Sequence, residues 1–244
     1  MNISGSGHVS AGEHNEKISI SGSGRIDGNV RCIALHCSGS AKGVGNIECA
    51  EDMRVSGSAH FDKNLSADII SISGSVKIGG DVNARTAIKV SGSFGCGGSL
   101  KSSLLSCSGS VDIGGEAEAD EIRISGKVNC VGLLNAEKVE IRMDGFNANS
   151  RIGSIGGSEI KIHNDRKGDR LSRMPLLTKL VGTGSRVIVD ELVEGDIVAI
   201  ECVKAPRVVG RVVAIGADCE IDLVQYSEEI EIHPDANIGK CERV

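Results

Sequence analysis

The chain has 244 residues and a net charge of −6 at pH 7, with 33 Gly, no Trp, one Tyr and three Phe. So few aromatics exclude a wide core built on ring bulk, and the acidic balance excludes a nucleic-acid-binding surface spread over the whole molecule. No apolar run reaches the roughly 18 residues of a membrane-spanning helix. The repeat begins at Ile3 and leaves no room for a signal peptide, so a cytoplasmic protein is expected, with its nine cysteines acting as small buried hydrophobes.

In chain order, the first element sets the pattern for the rest. Ser-Gly-Ser stands at Ser4 and returns at Ser21, Ser38, Ser56, Ser73, Ser91 and Ser108, with Ser125-Gly126-Lys127 as a worn eighth copy. The steps are 17, 17, 18, 17, 18, 17 and 17 residues. A period this steady marks a repeat architecture. Aligned on the first serine, Ile18, Leu35, Met53, Ile70, Ile88, Leu105 and Ile122 share one column, and Ile3, Ile20, Cys37, Val55, Ile72, Val90, Cys107 and Ile124 another. Further columns follow at Gly7, Gly24, Ala41, Ala59, Val76, Phe94, Val111 and Val128, and at Val9, Ile26, Phe61, Ile78, Cys96, Ile113 and Cys130; the third copy has Gly43 in the last column, beside Val44. Two-residue spacing is the strand period, with these residues facing inward and the Ser, Lys, Arg, Asp, Glu and His between them facing solvent. The glycine inside Ser-Gly-Ser is expected to face inward, where a small cross-section must close. The glycines at Gly28, Gly45, Gly80, Gly98, Gly115 and Gly132 are expected at corners of positive φ. Outward serine hydroxyls are a secondary candidate for bonding along the rod.

Seventeen or eighteen residues are too few for a strand–helix unit, and no helical period is present. They predict one turn of a triangular parallel β-solenoid with three short sides, each rung bonded to those above and below. Eight such rungs span about 40 Å at ~4.8 Å each. The preference of parallel strands for right-handed crossovers predicts a right-handed β-helix. Segments such as Ile20-Ser-Gly-Ser-Gly-Arg-Ile-Asp-Gly-Asn-Val30 resemble the bactofilin family of bacterial polymer-forming cytoskeletal proteins, over residues 1–145 and, as in longer two-block members, again over 187–240. The resemblance implies a right-handed triangular β-helix that polymerises end to end without nucleotide. The sequence departs from the family in lacking an N-terminal membrane-touching tail and in carrying a break and a second block.

The break follows Ile124. Residues 146–162 are expected to hold degenerate rungs, with Ile152, Ile155, Ile160 and Ile162 facing inward. Residues 163–185 leave the pattern as a loop excursion. It carries Arg166, Lys167, Arg170, Arg173 and Lys179, with Leu176, Leu177 and Leu180 after Pro175, a basic-apolar mixture suited to an acidic membrane surface or a protein client. From residue 186 to 240 solenoid rungs are expected to continue, two or three in number, on a 17-residue step from Val198 to Ile215 to Ile232. This block is acidic.

The motifs give little chemistry. Seven near-equal copies make the Ser-Gly-Ser serines a fold requirement rather than nucleophiles, and no P-loop lysine or strand-to-helix elbow accompanies them. His8 and His60 fall in an outward column, and His36 beside Cys37 lacks zinc spacing. No cofactor, metal or nucleic acid is expected. A hexapeptide-type acyltransferase would need His163 beside the loop, and the six-residue rule of that class is broken here. The expected function is a non-enzymatic scaffold that assembles with copies of itself through the apolar columns of its edge rungs: Ile3, Val9, Ile18 and Ile20 at one edge, Ile230, Ile232 and Ile238 at the other. A monomeric or small-oligomer binding module is the alternative.

Overall fold

The computed structural model describes residues 1–143, 149–164 and 185–244, and among them every regular element is a β-strand, 22 in all. The chain divides into two compact units, Met1–Asp120 and Glu121–Val244. Both are parallel β-solenoid, with about 13 turns counted over the two.

In the first unit one rung reads Ile47–Cys49, Asp52–Val55 and Ser58–Phe61, three short strands separated by corners. Each copy lies in parallel register on the next, so that Ile3, Ile20, Cys37, Val55, Ile72, Val90 and Cys107 stack in one buried file. Ile18, Leu35, Met53, Ile70, Ile88 and Leu105 form a second file, every member fully buried. Identical columns meet because the chain advances one rung per repeat, and β-branched side chains pack well on the pleated face.

The glycine inside Ser-Gly-Ser does not face inward. It sits half-buried at a corner, and the reason for it is the rung below. A Cβ added at Gly57, Gly74 or Gly92 would lie 1.9, 1.9 or 2.0 Å from the carbonyl oxygen of the corresponding glycine one turn earlier. The expectation of positive φ at the second set of glycines is also overturned: among the described residues Gly12 is the only glycine with one. At Gly80 and Gly98 a Cβ would fall 2.1 Å from Asn64 Oδ1 and Asp81 Oδ1. These glycines vacate space for a side chain of the preceding rung rather than for a handed backbone.

That side chain belongs to a ladder. The amide of Asn46 donates to Asn29 Oδ1 (2.8 Å), Asn64 to Asn46 Oδ1 (3.2 Å), Asp81 to Asn64 Oδ1 (2.9 Å) and Ser99 to Asp81 Oδ1 (2.9 Å). Corner amides that have left the strand ladder are satisfied this way, as backbone donors must be. Among the described residues no Ser-to-Ser hydroxyl contact of the kind weighed above accompanies it; Ser21 Oγ instead donates to the Ile3 carbonyl at 3.3 Å.

In the second unit the strand Ser150–His163 pairs with Lys127–Arg142 on one side and Val187–Ile200 on the other, so the ladder resumes after residues 165–184. Val203–Ile215, Glu220–Ile232 and Asn237–Arg243 add further rungs. The anticipated 17-residue step from Val198 to Ile215 is corrected here: Val198 stacks on Val213 and Ile200 on Ile215, a step of 15 (213 − 198). The shorter rung closes through a corner at Cys202, which adopts φ 55°, and only the next step returns to 17 with Ile215 on Ile232. A new glycine file, Gly157, Gly195 and Gly210, stands five residues before the buried file Ile162, Ile200 and Ile215, at a different place in the rung from Ser-Gly-Ser. Its logic is the same, since a Cβ on Gly157 would meet the Ala136 carbonyl oxygen at 2.3 Å.

One partly buried ion cluster braces the first unit. His36 Nε2 lies 2.8 Å from Asp52 Oδ2, and Arg54 donates to the same oxygen. Burial alone would raise the Asp52 carboxyl, but the hydrogen bonds from His36 and Arg54 outweigh it and hold it below the usual carboxylate range. A depressed folded pKa stabilises the protein above the unfolded value and ceases to do so as pH falls through the folded one. Asp52→Asn is therefore expected to lower stability by up to about 1 kcal/mol at neutral pH. The difference should close below about pH 4, as read from urea midpoints across pH; a gap that persists in acid would sink the assignment.

Candidate functional site

The sequence points to the edge rungs, and the structure distinguishes between them. At the first rung, among the described residues, Asn2–Ile3 pairs only with Ser19–Ile20, and Ser6–Val9 only with Ser23–Ile26. Ile3 is nevertheless 7% exposed and Val9 0%, while the Met1 ammonium contacts the Glu16 carboxylate and donates to the Lys17 carbonyl at 2.8 Å. Ile18 and Ile20 lie one rung deeper and are wholly buried. A charge at Ile20 thus tests folding, not association.

Among the described residues the other edge is open. Asn237–Arg243 pairs on one side with Glu220–Tyr226, and Ser227–Ile232 pairs on one side with the strand ending at Ile215. Here the buried files of the second unit come to the surface. Val213 and Ile215 are covered, but the residues stacked on them, Ile230 and Ile232, are half-buried and 40% exposed. Likewise Ile221 and Val224 are buried while Ile238 and Cys241, their partners in register, are half-buried and exposed. Stacking another rung on this edge would cover four apolar side chains and complete two rows of backbone hydrogen bonds.

Cysteine chemistry follows the same division. Eight of the nine thiols are buried and Cys241 is exposed. Burial pushes the Cys37 and Cys107 thiols up and Cys219 up to about 11, which leaves them poor nucleophiles at neutral pH. Among the described residues no group of three or more His, Cys, Asp and Glu gathers in a way that could hold a metal ion. His8 and His60 share an outward file, as the spacing indicated. Arg166, Lys167, Arg170, Arg173, Leu176, Leu177, Lys179 and Leu180 lie outside the described residues. Among those described, no helix is long and apolar enough to cross a membrane.

Two features escaped the sequence reading. The asparagine ladder has a legible signal, because Asn29, Asn46, Asn64, Asp81 and Ser99 all stand eight residues after the repeat serine. The difference between the edges has none, since it depends on coverage by neighbouring rungs.

The chain is similar to the uncharacterized protein YhbE of Bacillus subtilis (strain 168), with 35% identity over 107 residues. The match covers 44% of this chain and 41% of that protein, so the chain spans less than half the length of the curated relative it matches. No family model matches the chain. No solved structure matches it either.

Proposed function

We propose that this protein is a non-enzymatic structural scaffold of the bactofilin kind, cytoplasmic, which assembles end to end with copies of itself without nucleotide. The observation that carries the reading is the open rung formed by Ser227–Ile232 and Asn237–Arg243. There, Ile230, Ile232, Ile238 and Cys241 continue files that are fully buried one rung earlier, and both strands have an unbonded side. A β-solenoid leaves such an edge uncovered only at the cost of exposed apolar surface and unpaired ladder groups, and a second copy relieves both. The basic-apolar segment containing Arg166, Lys167, Arg170, Arg173, Leu176, Leu177, Lys179 and Leu180 is assigned to contacts with a membrane surface or a client protein, to which a polymer would add avidity.

The test is electron microscopy and sedimentation of the purified chain with no nucleotide added. Filaments are expected. Ile232→Asp, which places charge on a side chain already 40% exposed, should abolish them while leaving the far-ultraviolet β signal unchanged. A bulky maleimide should react with Cys241 in that variant and be excluded from it in filaments. A single monomeric species at high concentration and low salt, or filaments in Ile232→Asp, would overturn the proposal.

A further inference from the structure

Outward charges on the first unit usually alternate in sign from rung to rung. Arg31 bridges Glu13 (3.2 Å) and Glu48 (2.7 Å), Arg85 meets Asp68 (3.4 Å) and Lys101 meets Glu118 (2.9 Å). One file does the opposite. His8, Arg25, Lys42, His60 and Lys77 are successive register partners, one rung of about 4.8 Å apart. Like charges placed directly opposite destabilise a sheet, so this file weakens the unit that carries it. Asp27 takes His8 and Arg25, and Asp62 takes His60. Lys42 and Lys77 have no carboxylate partner among the described residues, and neither has Lys89 on the far flank of the Ser-Gly-Ser corner. Beside Lys42, Val44 is 44% exposed, and the surface next to Lys77 is flattened by Gly79 and Gly95.

The second unit carries the counterpart. Ile197 stacks on Val212 and Ala199 on Ala214, all four pointing outward between the buried Val198, Ile200, Val213 and Ile215. This apolar square, with Ile197 41% exposed, replaces the polar residues found at outward positions of the first unit. On the next rung Val212 and Ala214 are followed by Glu229 and Glu231, and Glu194 and Asp196 precede Ile197 in the chain. None of these four carboxylates has a cationic partner among the described residues. An apolar centre with a charged rim is the anatomy of a protein interface.

We infer that the cationic surface on the two flanks of the Ser-Gly-Ser corner, with Lys42 and Lys77 on one and Lys89 on the other, docks on the acid-rimmed apolar square of a second copy, so that assemblies pair side by side. The inference rests on the self-assembly reading above and extends it from end contacts to lateral ones. The unpaired charges of the two surfaces are opposite in sign, and each surface places an exposed aliphatic side chain, Val44 or Ile197, beside those charges. Nucleic acid fits the cationic face poorly: Phe61 and Phe94, the two aromatic residues of the first unit, are both buried, which leaves that unit no aromatic platform for stacked bases. A single such contact holds two copies together weakly and at low salt only. Its strength comes from repetition along a polymer.

The experiment compares bundling at about 0.05 M and about 0.5 M salt, a range over which screening of exposed charges becomes severe. The wild type should form paired or sheet-like filaments at low salt and single filaments at high salt. Lys42→Glu/Lys77→Glu/Lys89→Glu should give single filaments throughout, with lateral affinity at least about tenfold weaker. Adding Glu194→Lys and Asp196→Lys, which lie outside the open end rung, to that variant should restore the bundles. Sedimentation of Ile232→Asp, whose end contact is broken, separates the two readings: a salt-sensitive dimer there supports the lateral contact even without filaments. Bundles that persist in the lysine variant, no restoration by the charge swap, or no low-salt association in either form would overturn the inference. So would salt-sensitive binding to phosphatidylglycerol vesicles in place of bundling, since that makes a lipid surface the occupant.

Discussion

Phe61→Ala is expected to lower unfolding stability by about 3–5 kcal/mol, the range for a large aromatic removed from a packed core. Phe61 is 0% exposed and belongs to the file Val9, Ile26, Gly43, Phe61, Ile78, Cys96 and Ile113. Its ring lies over Gly43, where an added Cβ would come within 2.7 Å of Phe61 Cδ1. The glycine that interrupts the aliphatic file at Gly43 is thus compensated by the bulkiest member one rung on. Gly43→Ala in the wild type should overpack the same space and cost about 1–3 kcal/mol. Combining Gly43→Val with Phe61→Val should recover part of the loss, because two medium side chains refill the volume of a large and a small one. A double-mutant cycle on urea midpoints reads this directly. Strict additivity would show that the two residues do not share one cavity.

The second large effect is at the repeat glycine. Gly74→Ala should destabilise by at least about 1–3 kcal/mol, since its Cβ would lie 1.9 Å from the Gly57 carbonyl oxygen and neither backbone can yield without breaking the ladder. Gly95→Ala is the control. Only Lys77 Cγ, at 3.8 Å, is near its Cβ, so the change should fall within about 0.5 kcal/mol of neutral. Because each rung touches only its neighbours, the damage from Gly74→Ala should concentrate there. Hydrogen exchange should accelerate first in Ser58–Phe61 and Ser93–Cys96, the strands that flank Ser75–Ile78. Equal effects of the two substitutions would mean that loss of glycine's backbone freedom, rather than rung contact, is the cause.

Much of this architecture was legible beforehand, for a local reason. Inward columns such as Ile18, Leu35, Met53 and Ile70 announce themselves because a strand alternates faces with period two, and the repeat sets the rung. The glycines were legible as necessary but were given the wrong cause. Gly80 and Gly98 read as turn formers because glycine commonly supplies positive φ, whereas here they make way for Asn64 and Asp81 of the previous rung. The second block was legible as solenoid, but Val198 was matched with Ile215 when it stacks on Val213. Several aliphatic residues at similar spacing fit a 15- or a 17-residue step equally well until the neighbouring strand chooses one.

The assembly edge divides along the same line. That Ile230, Ile232 and Ile238 continue the apolar columns follows from the repeat alone. That Ile3 and Val9 are already covered while Ile232 and Cys241 are not follows only from tertiary packing. The sequence by itself therefore determined the solenoid, its rung length in the first unit and its inward files, because those arise from alternation within a strand. The tertiary structure decided what each glycine faces, how the corner amides are bonded, where a rung shortens and which edge is open. Those depend on residues about 15 to 18 positions apart along the chain and one rung apart in space, contacts that no local pattern records.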